Sequence, residues 1–450
     1  MAGTLDVLFA VNTIVALWAL IKAYPCSFFI VANLAIVARA LSNIARYGQP
    51  SSQSFLPRYI FGDNHMGIAM NVLAIASAVA FVLVAVPLSS RARRHAGYWP
   101  AVPRFVLVAA LLYLVLVAAS MRTVFAARYS EQQVFDVALT GGGHTLSMSI
   151  LVYTLLRRIC SGWMRPVHGL LICAAVLFLT DYLKGLTGLA TGYLLLAGCL
   201  FLRQEGGLAR YSVKILTLLA AAALSAVVMR GVRVHLHEQG LGAVSSYVTS
   251  LTSVEGHTAT AGEGIERTAN GTQYACHMLE CIDLYERGIS RSWASIYRPI
   301  EYTFKPAPLL SALGLSRSPE AAWELMDHFI HGGGIFVLGE LYWNGGYLCV
   351  FVMMLFFVGL AKLCDERCMT SPAWALVAIC YGGTLLMGFG YGVAQIMRGL
   401  INSVGLLAAF WLYSLVRRSS SLEFDRDTRE TVPALGISGR LPGDQHNQRL

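Results

Sequence analysis

Glu340, Tyr342, Trp343 and Asn344 stand together in GGGIFVLGELYWNGGYL, residues 332–348, at the head of an apolar run that reaches Lys362. A carboxylate there needs a reason, because a charged side chain taken into hydrocarbon costs roughly 2.5 kcal/mol or more and such residues usually face a cavity or a site. Read as one helix from Ile335 to Lys362, the run places Glu340, Trp343, Asn344 and Tyr347 at i, i+3, i+4 and i+7, on a single face. That stripe is a wall for a polar ligand. Trp and Tyr also anchor helices at membrane interfaces, so an aromatic belt with one tolerated carboxylate is the competing reading.

Further polar groups cluster around it. Asp181 and Lys184 lie in TDYLKGLTG, while Gln395, Arg398 and Asn402 share a helical face. Lys184 and Arg398 are each followed by glycine, which permits close approach of a ligand. Arg287, Arg291 and Arg298, in YERGISRSWASIYRP, offer forks that match phosphate oxygens; Glu280, Asp283, Glu286 and Glu301 are their alternative partners. His331 stands beside three glycines and is a candidate proton acceptor. Arg39, Arg46, Arg122 and Arg128 fall at the same level of the sequence-derived topology, where they can equally snorkel to headgroups. His235 and His237, His328 and His331, and Cys364 and Cys368 in CDERC lack the spacing of a metal motif. No metal is expected.

These residues need elements to position them. Of 450 residues, 56% are hydrophobic and 13% charged, against about 25% charged in a soluble domain, and the mean hydropathy is +0.58. The chain reads as an all-α polytopic integral membrane protein. About eleven runs approach the length needed to cross a ~30 Å hydrocarbon core: Leu5–Ile21, Ser27–Ile44, Met66–Leu88, Phe105–Ser120, His144–Leu156, Val167–Leu183, Thr187–Leu202, Lys214–Met229, Ile335–Lys362, Trp374–Ile396 and Gly399–Val416. Lys and Arg concentrate in alternate loops, as at Arg91–Arg94, Arg157–Arg165, Arg203–Lys214 and Arg417–Arg418, which puts those loops and the C-terminus in the cytoplasm. The net charge of +9 is therefore topological, and no basic stripe with interleaved aromatics speaks for nucleic acid. The N-terminus is expected to be a first span and not a cleaved signal.

Residues 231–333 form the one long outer loop, with short helices expected in TQYACHMLECIDLYERGISRSW and SPEAAWELMDHF. The organisation is then an N-terminal bundle of about eight spans (1–230), this loop (231–333), about three C-terminal spans (334–418) and a disordered cytoplasmic tail (419–450). Cys276 and Cys281 lie in the loop, where a disulfide could persist, though their spacing on one helix is poor for bridging.

The order of features resembles bacterial Wzy-type O-antigen and capsular polysaccharide polymerases, which are related to O-antigen ligases. KGLTGLATGYLLLA, ECIDLYERGIS and GGGIFVLGELYWNGGYL, with many spans and one long late outer loop, carry the resemblance, which extends from Lys184 to Asn402. Arginine–ten residues–glycine motifs noted in such loops are missing at Arg230 and Arg233.

The resemblance implies a GT-C-like membrane glycosyltransferase acting on polyprenyl-diphosphate-linked oligosaccharide donors and acceptors at the periplasmic face of the inner membrane, without cofactor. A chain-length regulator is a possible partner. On that reading Glu340 or His331 is the base, Lys184, Arg398, Arg287, Arg291 and Arg298 hold the diphosphate, and Tyr342, Trp343 and Asn344 bind sugar. The alternatives are a ligase moving glycan to lipid A core and a flippase for lipid-linked sugars.

Overall fold

Helices follow one another where the apolar runs predict them. The computed structural model describes residues 1–47, 62–86, 102–119, 142–182, 187–203, 210–221, 224, 270–294, 297, 324–325, 328 and 335–430. Its principal elements are α1 (Ala2–Ile21), α2 (Pro25–Tyr47), α3 (Asp63–Ala85), α4 (Arg104–Ala119), α5 (Gly142–Cys160), α6 (Pro166–Leu177), α7 (Thr187–Leu202), α8 (Asn270–Glu286), α9 (Val337–Arg367), α10 (Pro372–Tyr391) and α11 (Val393–Glu430). A π-turn, Phe178–Tyr182, closes α6. Residues 210–221 are also helical, overlapping the start of the predicted span Lys214–Met229.

Local chemistry sets the starts. Pro25, Pro166 and Pro372 open α2, α6 and α10, where the missing N–H is no loss and the fixed φ is already helical. Asp63 sits in the first turn of α3, favourable to the helix dipole.

Among the described residues five helices are long and apolar enough to cross a membrane: α1, α2, α3, α9 and the 393–413 part of α11. α4, α6, α7 and α10 contain shorter apolar segments. The outward faces agree with this. Phe105, Val108, Leu112, Val115 and Leu116 of α4, and Leu348, Phe351, Leu355 and Phe356 of α9, are exposed, an apolar exterior that hydrocarbon tolerates and water does not. The chain is thus an all-helical membrane protein over its described residues.

Two compact units divide the chain, Met1–Leu407 and Ala408–Leu450. In the first, α9 packs on α2, α3, α8 and α10, and α8 also packs on α2 and α3. Helix α8 is therefore wedged into the bundle. In the second unit, residues 408–430 are helical.

The predicted single helix from Ile335 to Lys362 is corrected in one respect. Gly345 (φ −173°, ψ 32°) and Gly346 (φ 61°, ψ −153°) interrupt α9. Gly346 lies in the left-handed region, where glycine is favoured, and a Cβ there would meet the Tyr285 hydroxyl at 3.0 Å. Tyr347 consequently leaves the face shared by Glu340, Trp343 and Asn344. It is 38% exposed while those three are buried.

Candidate functional site

The break in α9 frees two carbonyls, and the loop that follows α8 takes them up. The backbone N–H of Arg291 donates to Trp343 O (3.2 Å) and that of Trp293 to Asn344 O (3.3 Å). Ser290 Oγ also reaches Trp343 O, at 3.4 Å. The Trp343 indole donates to Ile289 O at 2.6 Å, and the Arg291 guanidinium lies 5.1 Å from the Trp343 ring while pairing with Glu324. This loop and the first half of α9 are one built unit. Freed backbone groups in a membrane protein must be satisfied by protein or by water.

Glu340 is buried and accepts a hydrogen bond from the Val393 N–H (2.6 Å), the first residue of α11. Gly392, at φ +94°, makes room: a Cβ there would lie 2.5 Å from Glu340 Oε2. The carboxylate therefore meets the positive end of a helix, a favourable place for it. Asn344 donates back along its own helix to Glu340 O at 2.7 Å.

Beside the break, Tyr342 donates to Glu286 Oε1 (3.0 Å), and its ring meets Tyr285 and Tyr347 edge-on at centroid distances of 4.9 and 5.2 Å. Glu286, Tyr347 and Trp293 reach the surface. Aromatic rings bordered by a carboxylate can stack on and hydrogen-bond a polyhydroxy ring.

Helix α8 brings a different carboxyl group. Glu280 is fully buried, and among the described residues neither of its side-chain oxygens has a hydrogen-bond partner. Burial pushes its pKa up to about 8, as expected when the charged form is desolvated. Asp283, one turn on, is engaged by Arg287 at 2.7 Å and lies 3.5 Å from His65 Nε2. Gly339 lets α8 come close, since a Cβ there would sit 2.7 Å from Met278 Cα. Cys276 and Cys281 are free buried thiols on this one helix.

A third group lies where α5 begins and α6 ends. His144 Nε2 is 3.2 Å from Asp181 Oδ2, and both side chains are fully buried. Arg203, just past the end of α7, reaches Asp365 O (2.9 Å), so α7 starts, with the π-turn before it, toward the Glu340 end of the bundle.

Of the residues singled out in the sequence, the structure joins Glu340, Tyr342, Trp343, Asn344 and Arg291 around the break. Arg287 stands on the exposed side of α8 against Asp283, and Arg398 is half-buried in the first turns of α11. His331, Lys184 and Arg298 lie outside the described residues. Arg39 and Arg46 pair with Asp6 of α1, which gives them a place in the α1–α2 contact. Among the described residues no three His, Cys, Asp or Glu side chains converge as metal ligands. Sequence reasoning missed His144, although the GGG that precedes it mirrors the GGG after His331. It named Glu280 only as a partner for the loop arginines, and not as a lone carboxylate in the apolar face of YACHMLECI.

No family model, characterised protein or solved structure matches this chain.

Proposed function

We propose that this chain is a membrane glycosyltransferase that lengthens a polysaccharide, moving the growing glycan from its polyprenyl diphosphate carrier to the next lipid-linked repeat unit. The single observation that carries the reading is the joint construction of one end of the bundle by the long loop and the broken helix α9. Loop amides occupy the α9 carbonyls, and Tyr347, Trp293 and Glu286 reach the surface beside them. A site assembled from a loop and a helix break is suited to a large polyhydroxy substrate at the membrane surface.

In this reading the chain crosses a bacterial inner membrane about eleven times and the Glu340 end faces the periplasm. Arg287, Arg398, Lys184 and Arg298 hold the diphosphate, whose departure needs cations to meet the developing negative charge. Arg291, tied to Glu324 and Trp343, acts as the strut of the loop. Tyr285, Tyr342 and Tyr347 border the acceptor sugar, and Glu340, fixed by Val393, holds or deprotonates its hydroxyl. His331 is the other proton acceptor of this end.

A flippase for lipid-linked sugars is the second reading, favoured by the interrupted helix, since transporters build substrate sites at such breaks. Here both freed carbonyls are already occupied by loop amides. The test is chain growth by the purified protein in lipid nanodiscs supplied with polyprenyl-diphosphate-linked repeat units. The polymerase reading expects a ladder of lipid-linked multimers; recovery of single units only would overturn it, and movement of intact units across vesicle membranes would turn the case to the flippase.

A further inference from the structure

His144 and Asp181 form a pair that neither the cations nor the aromatic residues of the proposed site account for. Both side chains are at 0% exposure, and they come from separate elements, the first turn of α5 and the π-turn. Thr180 Oγ1 donates to Asp181 Oδ2 at 2.7 Å, while among the described residues neither nitrogen of His144 nor Asp181 Oδ1 has a hydrogen-bond partner, so the 3.2 Å approach of Nε2 to Asp181 is a charge contact. An imidazole nitrogen buried without a partner is costly and calls for a function. Ionisable groups inside a membrane bundle are functional sites by default. π-turns are also frequent at functional sites.

The chemistry follows from the orientation. With Nε2 3.2 Å from the carboxylate, the tautomer that carries its proton on Nε2 presents Nδ1 as an acceptor. Thr145, next to His144, is tied through its carbonyl to the Tyr193 hydroxyl at 3.3 Å, which steadies the start of α5. A base held by a carboxylate on its far nitrogen is the arrangement that activates hydroxyl nucleophiles. Glu340, by contrast, already commits an oxygen to Val393 N–H.

Resting on the polymerase reading, we propose that His144 is the general base that activates the acceptor hydroxyl and that Asp181 is its positioning residue. The hydroxyl proton passes to His144 Nδ1 as the oxygen bonds the anomeric carbon of the donor. The bond from that carbon to phosphate oxygen breaks, and its electron pair leaves with the polyprenyl diphosphate. Asp181 balances the imidazolium until the proton is released to water. The pair is sealed in this structure, so on this proposal it must open to admit the acceptor.

The experiment uses the full-length protein in nanodiscs with lipid-linked repeat units, following chain growth across pH for wild type, His144→Gln and Asp181→Asn, with thermal unfolding as the check on folding. His144→Gln is expected to unfold at the wild-type temperature, to lose about 100-fold or more in rate, and to lose the acid limb of the pH profile. Asp181→Asn is expected to lower the rate and move that limb. A folded His144→Gln protein that retains the wild-type rate and profile overturns the dyad and leaves the polymerase reading standing. Wild-type protein that builds no chains overturns both.

Discussion

At one end of helix α9 Glu340 is buried against the first N–H of α11; at the other, Asp365 is buried against the first turn of α2. The two carboxylates use the same contact in different surroundings. Asp365 accepts from Cys26 N–H (2.9 Å) with one oxygen and from Ser27 N–H (2.8 Å) with the other. Around it Arg203 bonds the Asp365 carbonyl, and Lys362 reaches Val84 O and Glu366. Among the described residues no buried charged side chain at that end is left without a partner. At the Glu340 end both imidazole nitrogens of His144 and carboxyl oxygens of Asp181 and Glu280 make no hydrogen bond among the described residues. A carboxylate satisfied on both oxygens marks a latch that holds helices together. Buried ionisable groups left unsatisfied mark a place where protons or ligands arrive.

Asp365→Ala should do the greatest damage, because two buried N–H groups lose their acceptor together. A loss of about 2–5 kcal/mol is expected, read as a lower unfolding temperature and reduced protein in the membrane. A near-neutral result would break the contrast at its structural end. Gly346→Val should come next, at about 1–3 kcal/mol, because the residue sits at φ 61° against Tyr285. Its thermal loss should be accompanied by exposure of Trp343 to fluorescence quenchers as the loop lets go.

Glu280 gives a smaller effect with a definite sign. Its folded pKa is raised to about 8, above the ordinary carboxyl value of about 4.3. Between those values the folded protein holds a proton that the unfolded chain releases, so stability is fully present below the lower value and is lost as pH rises through about 8. Asp63 and His65 on α3, His277, Asp283 and Glu286 on α8, Arg39 and Arg46 on α2, and Glu340 on α9 are among the charged or titratable groups of the surrounding elements; burial is the cause of the shift. Glu280→Gln should flatten this dependence and unfold at a temperature a few degrees above wild type at pH 9. A wild-type unfolding temperature that does not fall from pH 5 to pH 9 would contradict it. The smallest change should come from Thr180→Val, which removes one hydrogen bond to Asp181 and should cost about 1 kcal/mol in thermal unfolding.

Much of this architecture was legible in the sequence. Apolar runs located the helices because hydrocarbon-facing residues leave an unbroken signal, as in α4. Glu340, Trp343 and Asn344 were legible as one helical face from their spacing, but not that this face is buried. The break at Gly345–Gly346 was not, because two glycines within an apolar run are compatible with a continuous helix, and it takes the Arg291 and Trp293 amides from 50 residues earlier in the chain to stabilise the alternative. Nor could spacing bring His144 to Asp181. Asp181 invited a partner one turn away at Lys184, whereas tertiary packing placed an imidazole beside it from the preceding helix.

The most direct test of the account compares Glu340→Gln with wild type for both unfolding temperature and glycan chain length in a strain lacking the gene, at equal protein in the membrane. The amide oxygen of glutamine can still accept from Val393, so the account predicts an unfolding temperature close to wild type together with collapse of the glycan ladder to single repeat units. An unchanged ladder from the folded variant would contradict it and make Glu340 a latch like Asp365.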